Sequence, residues 1–373
     1  MKKILFTIPN LDGGGAEKVL VTLLNNLNPK KYDITLFTIF DEGVNKNYLN
    51  KNIKHESFFK KSFKGNTILF KFLSPKQLYK LMIRKEYDIV ISYLEGPTTR
   101  LVSGCPFPKT TLLNWVHIEV NNEKMIIPTY RSKEEAVLTY DRYDKTIFVS
   151  ETAQLAFEET FPSVNKNFLV KYNTVDDSLI RKKSLEIVSD LDFDSKKINL
   201  ISVGRFTEQK GYIRLLKIIS KLVEEKFEFR LYLLGKGEEE KIYRQIIKKN
   251  NLEDYVTIVG FKENPYKYIA KCDVFICSSF REGYSTAVTE SLIVGTPVIT
   301  TLCSGMKEIL GEENEYGIIT KNTEQDLYNG LREFLTDKKM QNYYKQKASE
   351  RSDYFKLKKT VKEIEELLDE PNK

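Results

Sequence analysis

Phe280-Arg281-Glu282-Gly283-Tyr284-Ser285-Thr286-Ala287-Val288-Thr289-Glu290 holds two glutamates with seven residues between them. An apolar run ending at Ser278-Ser279 precedes it, and an apolar-patterned helix starts near Ser285. Glu282 therefore falls at a strand–helix junction, and Glu290 about one and a half turns into the helix. Both carboxylates can face one crevice. The helix start between them offers free backbone N–H groups, near Ser285, Thr286 and Ala287, that suit a phosphate. Carboxylates accept hydrogen bonds from sugar hydroxyls, so the pattern suits a sugar and a ribose on either side of a diphosphate. Glutamate is mostly a surface residue, and a pair at this spacing is weak evidence by itself.

The neighbourhood strengthens it. Gly283-Tyr284-Ser285 leads into the helix, Glu290-Ser291-Leu292 lies inside it, and Gly295-Thr296-Pro297-Val298-Ile299 closes into another strand. This whole segment resembles the paired-glutamate signature of retaining, nucleotide-sugar-dependent glycosyltransferases of family 4. The resemblance implies a GT-B fold: two Rossmann-like doubly wound domains facing a cleft, with a C-terminal helix crossing back to the N-terminal domain.

The rest of the chain has the alternation such a fold needs. Short apolar, β-branched runs at 4–8, 33–40, 88–93, 110–116, 146–149 and 168–172 read as buried parallel strands, with a helix at 16–26 after the first. The polar stretch 189–197 reads as a linker or loop. The pattern then restarts with strands at 198–203, 229–234, 256–259 and 274–277, and helices at 212–224 and 239–249. Two blocks of this kind imply two doubly wound α/β domains, whose ligands bind beyond the carboxyl ends of the strands. The expected division is 1–176 for an acceptor domain and 177–353 for a nucleotide-sugar domain, with the C-terminal helix, 354–373, joining the first. The cleft between them is the default site.

A second loop carries cations. Val203-Gly204-Arg205-Phe206-Thr207-Glu208-Gln209-Lys210-Gly211 lies between a strand and a helix. Arg offers a planar fork to phosphate oxygens and Lys a point charge, so Arg205 and Lys210 could neutralise a departing diphosphate. Solvated loop cations are the plainer reading. The glycine run Asp12-Gly13-Gly14-Gly15 opens a helix and lets the backbone approach a ligand, although a tight turn explains it equally well. It lacks the Gly-Lys-Ser/Thr of a P-loop. His117 ends an apolar strand, where a histidine is commonly structural.

The resemblance implies more specific roles. Glu282 fixes donor-sugar hydroxyls, Glu290 the ribose, and Arg205 and Lys210 the diphosphate, with His117 near the donor sugar; Glu282, Arg205, Lys210 and His117 form the expected catalytic set. Gly14, Gly15, Gly204, Gly235, Phe261, Gly283, Tyr284, Ser285, Thr286 and Ala287 complete the donor site, with the backbone at Gly260-Phe261 meeting the nucleobase. Tyr172-Asn173-Thr174-Val175-Asp176 resembles the turn that ends the first domain. The implied reaction is transfer of a sugar, with UDP-sugars favoured as donors, to a hydroxyl of a glycan or lipid-linked acceptor in cell-surface polysaccharide biosynthesis. The alternatives are a non-catalytic sugar-binding subunit, an epimerase or a phosphorylase of the same fold. No cofactor and no metal are called for, and the acidic run at Asp190-Leu191-Asp192-Phe193-Asp194 reads as solvated surface.

Composition narrows the rest. At 373 residues and 41% hydrophobic the chain suits two domains with sizeable cores. It has no apolar run long enough to span a bilayer. The apolar start, Ile4 to Ile8, is too short for a signal peptide and stops at Pro9. Cys105, Cys272, Cys277 and Cys303 show no zinc or disulfide spacing, which suits reduced thiols in a cytoplasmic protein. The net charge of +7 is uneven: residues 51–85 hold ten Lys and Arg against one acid, Glu56, with interleaved phenylalanines. That segment reads either as a solvated basic face or as peripheral contact with an anionic membrane on its cytoplasmic side. No nucleic-acid motif accompanies it.

Overall fold

The computed structural model describes residues 1–371. The chain forms two compact units, one of Met1–Thr174 together with the chain from Lys358 onward, the other of Val175–Leu357. The first division falls two residues before the expected 176/177 and the second four residues beyond 353/354. Positions 372 and 373 of the expected C-terminal segment lie outside the described residues.

The first unit is built on seven parallel strands: β1 (Lys2–Ile8), β2 (Tyr32–Phe40), β3 (Lys54–Phe59), β4 (Ile89–Ser92), β5 (Thr111–Val116), β6 (Lys145–Phe148) and β7 (Phe168–Val170). Their order across the sheet is β3-β2-β1-β4-β5-β6-β7. Leu5 pairs with Thr35 on one side and Val90 on the other. Near-continuous burial along β1, β2, β4 and β5 is what a sheet covered on both faces requires. One apolar layer gathers Leu5, Phe37, Tyr79, Val90 and Leu101; another gathers Val116, Tyr140, Phe148 and Phe157.

Strand β3 was not expected. It lies at the sheet edge within the basic segment, half exposed, where no hydrophobic alternation marks it. Its side chains are nonetheless tied down: Lys54 pairs with Asp33, and Phe59 stacks on Phe40 at 5.8 Å.

The C-terminal helix Leu357–Asp369 packs on the first unit through buried Val361, Ile364, Leu367 and Leu368. Lys2 Nζ donates to the Leu368 carbonyl at 2.8 Å, and the Tyr32 hydroxyl to Asp369 Oδ1 at 2.7 Å. The expected return of this helix to the first unit is therefore observed.

The second unit has six parallel strands: β8 (Ile198–Val203), β9 (Phe229–Leu234), β10 (Val256–Gly260), β11 (Val274–Cys277), β12 (Val298–Thr301) and β13 (Ile318–Thr320), in the order β10-β9-β8-β11-β12-β13. One apolar core joins Leu215, Leu216 and Ile219 of helix Tyr212–Glu224 to Leu200, Leu231, Leu233, Ile276 and Ile299 of the sheet.

The stretch 189–197 is internal to this unit and joins nothing to the first. Its acidic run is not free surface either. Lys262 and the Tyr268 hydroxyl grip Asp190 and hold its carboxyl down at about 2, and Phe193 packs on Tyr232. A local run of acids shows nothing of these partners because they lie some seventy residues away in sequence.

In both sheets the strand order reverses beside the first strand of the block, between β1 and β4 and between β8 and β11. Loops leaving neighbouring strands in opposite directions open a crevice there. The glycine run follows β1 and His117 follows β5. The Arg205–Lys210 loop follows β8 and the Glu282 loop follows β11.

Candidate functional site

In the second unit two loops from adjacent strands are stitched together. The Phe280 N–H donates to the Gln209 carbonyl at 2.8 Å, Gln209 Nε2 to the Arg281 carbonyl at 2.9 Å, and Ser278 Oγ to the Lys210 carbonyl at 2.8 Å. Gly211 closes the first loop at φ +65°, and a Cβ there would lie 2.1 Å from the Ser278 carbonyl oxygen. Glycine is required by both the backbone and the contact.

This stitching brings Lys210 to Glu282. Lys210 Nζ lies 2.7 Å from Glu282 Oε1, and the two side chains are 19% and 9% exposed. Ser279 Oγ–H donates to the same oxygen at 2.5 Å, and the Cys277 thiol approaches it at 3.8 Å. Burial works to lower the Lys210 pKa, and the charge and hydrogen bond of Glu282 more than reverse it, so the ammonium is stabilised. Burial, with Glu282 adding to it, raises the Cys277 pKa and keeps a neutral S–H donor beside the carboxylate. All three donors converge on Oε1, and no described residue donates to Oε2.

Helix Thr286–Val294 begins three residues after Gly283. Ser285 is its N-cap, accepting from the Val288 N–H. Gly305, at φ +78°, lies against Gly283 and buried Tyr284; a Cβ there would come within 2.8 Å of the Gly283 carbonyl. Glu290 is buried one turn into this helix and accepts from the Tyr266 hydroxyl at 3.3 Å.

The other expected residues fall around this centre. Arg205 is exposed on the β8 loop, and no described side chain pairs with it. Gly204 lies under Lys210: a Cβ would meet the Tyr212 hydroxyl at 3.0 Å and Lys210 Cε at 3.4 Å. Gly235 leaves β9 at φ +148°, where a Cβ would sit 1.8 Å from the Gly204 carbonyl. Phe261 is 45% exposed beside Gly260, with Lys236 Nζ 5.1 Å from its ring centre.

Two residues of this network were not foreseen. Arg214 is 5% exposed in the helix after the cation loop, and its guanidinium donates to the carbonyls of Ser278 and Ser279. Ser279 is the hydroxyl on Glu282. An arginine among Leu215, Leu216 and Ile219 breaks an otherwise apolar helical pattern, and that was the available signal.

The first unit has its own cluster. Gly14 caps helix Gly15–Asn26, and the Glu17 carboxylate folds over it, 2.2 Å from where a Cβ would stand. His117 is 9% exposed, tilts against Tyr93 at 4.8 Å, and donates its backbone N–H to Glu95 Oε2 at 2.9 Å. Burial pushes the imidazole down to about 3, so it is neutral, and its Nε2 has no hydrogen-bond partner among the described residues. Burial, reinforced by Glu17, raises the Glu95 pKa. Glu95 was not singled out from sequence, since a single acid after an apolar strand has no distinguishing pattern. Among the described residues, no group of three or more His, Cys, Asp or Glu is arranged to hold a metal ion.

Residues 184–351, most of the second unit, match the family Glycosyl transferases group 1. The chain is 28% identical, over 99% of its length and 100% of the relative's, to the N-acetylgalactosamine-N,N'-diacetylbacillosaminyl-diphospho-undecaprenol 4-alpha-N-acetylgalactosaminyltransferase of Campylobacter jejuni. Over 37% of the chain and 36% of the relative it is 32% identical to a putative colanic acid biosynthesis glycosyltransferase, WcaL, of Escherichia coli. Among solved structures, Anabaena Alr3699/HepE in complex with UDP and glucose superposes at a TM-score of 0.80, with 19% identity and full coverage of both chains. Sucrose-phosphate synthase from Thermosynechococcus elongatus superposes at 0.79, with 15% identity over 99% of this chain and 98% of that one. The fold is of GT-B type, as in these solved neighbours, and the family match lies in the second unit.

Proposed function

We propose that the chain is a retaining glycosyltransferase that moves a sugar from a nucleoside diphosphate, with UDP favoured, to a hydroxyl of a lipid-linked glycan in bacterial cell-surface polysaccharide assembly. The observation that carries this reading is the Lys210–Glu282 pair, set where the strand order reverses and beside the start of helix Thr286–Val294. Three donors occupy Glu282 Oε1, which leaves Oε2 to accept from a donor-sugar hydroxyl. One N–H of Lys210 serves Glu282, and the others are available to phosphate oxygens. Arg205, exposed and without a side-chain partner among the described residues, adds a second cation to a departing diphosphate. The N-terminal N–H groups of the helix add theirs, and Glu290, steadied by Tyr266, accepts from the ribose.

In this reading the acceptor attacks on the face the leaving group departs from, and the departing phosphate takes its proton. Trapping a covalent glycosyl–Glu282 adduct would overturn that route in favour of double displacement. The reaction is proposed to need no metal; turnover that EDTA abolishes and magnesium restores would contradict this.

The UDP in the Anabaena complex and the sugar transferred by the Campylobacter relative make UDP-N-acetylgalactosamine the first donor to try. The decisive test is release of UDP from it by the purified chain, with and without an undecaprenyl-diphosphate-linked saccharide. No nucleotide release from any UDP-sugar under either condition would sink the enzyme reading.

A lipid-linked acceptor implies work at a membrane surface. In the basic segment, helix Asn66–Phe72 exposes Ile68 and Phe72, one turn apart, at 62% and 77%. Arg131 donates to the Lys71 and Phe72 carbonyls at 2.6 Å each, and Arg100 to the Phe70 carbonyl at 2.7 Å. These bonds hold the exposed pair in place among lysines, an arrangement suited to anionic lipid. Flotation with phosphatidylglycerol vesicles should carry the chain at low salt and release it at high salt; equal behaviour with neutral vesicles would remove this part.

A further inference from the structure

The buried arginine of the second unit is engaged beyond what packing requires. Arg214 Nε and Nη2 donate to the Ser278 carbonyl at 2.9 and 2.6 Å. Nη2 also reaches the Ser279 carbonyl at 2.7 Å and Thr301 Oγ1 at 3.2 Å, and Nη1 donates to Asn322 Oδ1 at 2.8 Å. The guanidinium carbon lies 4.1 Å from the centre of the Phe280 ring. A buried guanidinium is tolerated only when its donors are satisfied. Here every partner lies in, or next to, the three residues that lead to Glu282.

The Ser279 carbonyl is the focus. Besides Arg214, it accepts from Thr301 Oγ1 at 2.6 Å and the Cys303 thiol at 3.2 Å. Asn322 Nδ2 holds the next carbonyl, that of Phe280, at 3.0 Å. With its backbone fixed in this way, Ser279 has its side chain aimed at one atom, Glu282 Oε1, at 2.5 Å. Lys210 approaches that same oxygen from the other loop. The carboxylate therefore cannot swing away from this orientation without giving up both bonds.

We infer that Arg214 and Ser279 are positioning residues for the sugar half of the donor site: they decide that Glu282 presents Oε2, and no other atom, to the ligand. This rests on the glycosyltransferase reading and deepens it. It implies a division of labour. The nucleotide and diphosphate are held by Arg205, the remaining N–H groups of Lys210, the helix start and Glu290, none of which bonds to the Ser279 hydroxyl. Recognition of the sugar does depend on it.

The experiment compares binding of UDP and of UDP-N-acetylgalactosamine to the full chain and to Ser279→Ala, Ser279→Thr and Arg214→Lys, by calorimetry. Ser279→Ala removes one hydrogen bond to a charged group and leaves the backbone clamp intact. It should bind UDP within about twofold of wild type and lose roughly tenfold for the sugar nucleotide. Ser279→Thr, which keeps the hydroxyl, should restore most of the loss. Arg214→Lys, which keeps the charge but not the fork, should show the same selective defect. Equal loss for both ligands, or none for either, in Ser279→Ala overturns the inference alone. A wild type that binds neither ligand overturns the glycosyltransferase reading and this inference with it.

Discussion

Lys210 Nζ and Glu282 Oε1 lie 2.7 Å apart, on loops separated by 72 residues of sequence, and both side chains are largely withdrawn from water. An ion pair so placed has a local consequence and a functional one. Glu282 keeps the Lys210 ammonium charged against its burial, and together they put a cation and a carboxylate at the same strand ends.

Removing one member leaves a buried charge uncompensated. Lys210→Met should cost about 3 kcal/mol of stability, and Glu282→Gln a smaller amount, because the amide keeps the shape and a weaker acceptor. The double substitution should be less harmful than the sum of the two. Urea unfolding of the three variants measures this coupling, and additive losses would mean that the pair is not coupled. All three should lose sugar transfer.

Arg205 gives the opposite outcome. Its side chain is exposed, so Arg205→Ala should change stability by no more than about 0.5 kcal/mol. Nucleotide binding should suffer instead. UDP at about a hundred times its dissociation constant adds roughly 2.7 kcal/mol to the wild type. Most of that gain, read as a thermal shift, should vanish in the variant.

Gly211→Ala should damage the site without touching a ligand group. The new methyl would meet the Ser278 carbonyl at 2.1 Å in a backbone conformation of positive φ. Arg214 holds that carbonyl in place, so neither side can give easily. A loss of about 2–3 kcal/mol is expected in unfolding experiments, together with weakened sugar-nucleotide binding.

His117 sets a pH dependence of stability. Burial lowers its pKa from the usual 6.5 to about 3 in the folded chain. Below about pH 6.5 the unfolded chain takes up a proton that the folded chain refuses, so stability falls as pH falls, and the loss ends near pH 3. The slope from this group approaches about 1.4 kcal/mol per pH unit within that window. His117→Gln should flatten the stability profile between pH 6 and 4 and leave it unchanged above pH 7.5. An unchanged acid slope would show the imidazole to be solvated.

Much of this molecule was legible from its sequence. Period and composition marked β1, β2, β8, β9 and β11, because strands buried on both faces must be short and apolar. The pattern missed β3, an edge strand with charged residues facing water. The apolar period places a helix start near Ser285, and Ser285 is the N-cap. Glu282, Lys210 and Glu290 were singled out from local motifs, and the fold places the first two in contact. Asp190 was read as free surface, since its partners Lys262 and Tyr268 lie far along the chain.

The sequence by itself determined the buried strands such as β1, β2, β8, β9 and β11, and that cations and carboxylates occur at strand ends. Those are consequences of periodicity and backbone sterics, which act over a few residues. Only the tertiary structure decided that Arg214 spends its donors on the Ser278 and Ser279 carbonyls, that Ser279 and Lys210 share one oxygen of Glu282, and that His117 is neutral. Backbone carbonyls have no letter in the sequence, and burial is a property of the packed whole. The orientation of a side chain within the site is therefore set by contacts that no local pattern encodes.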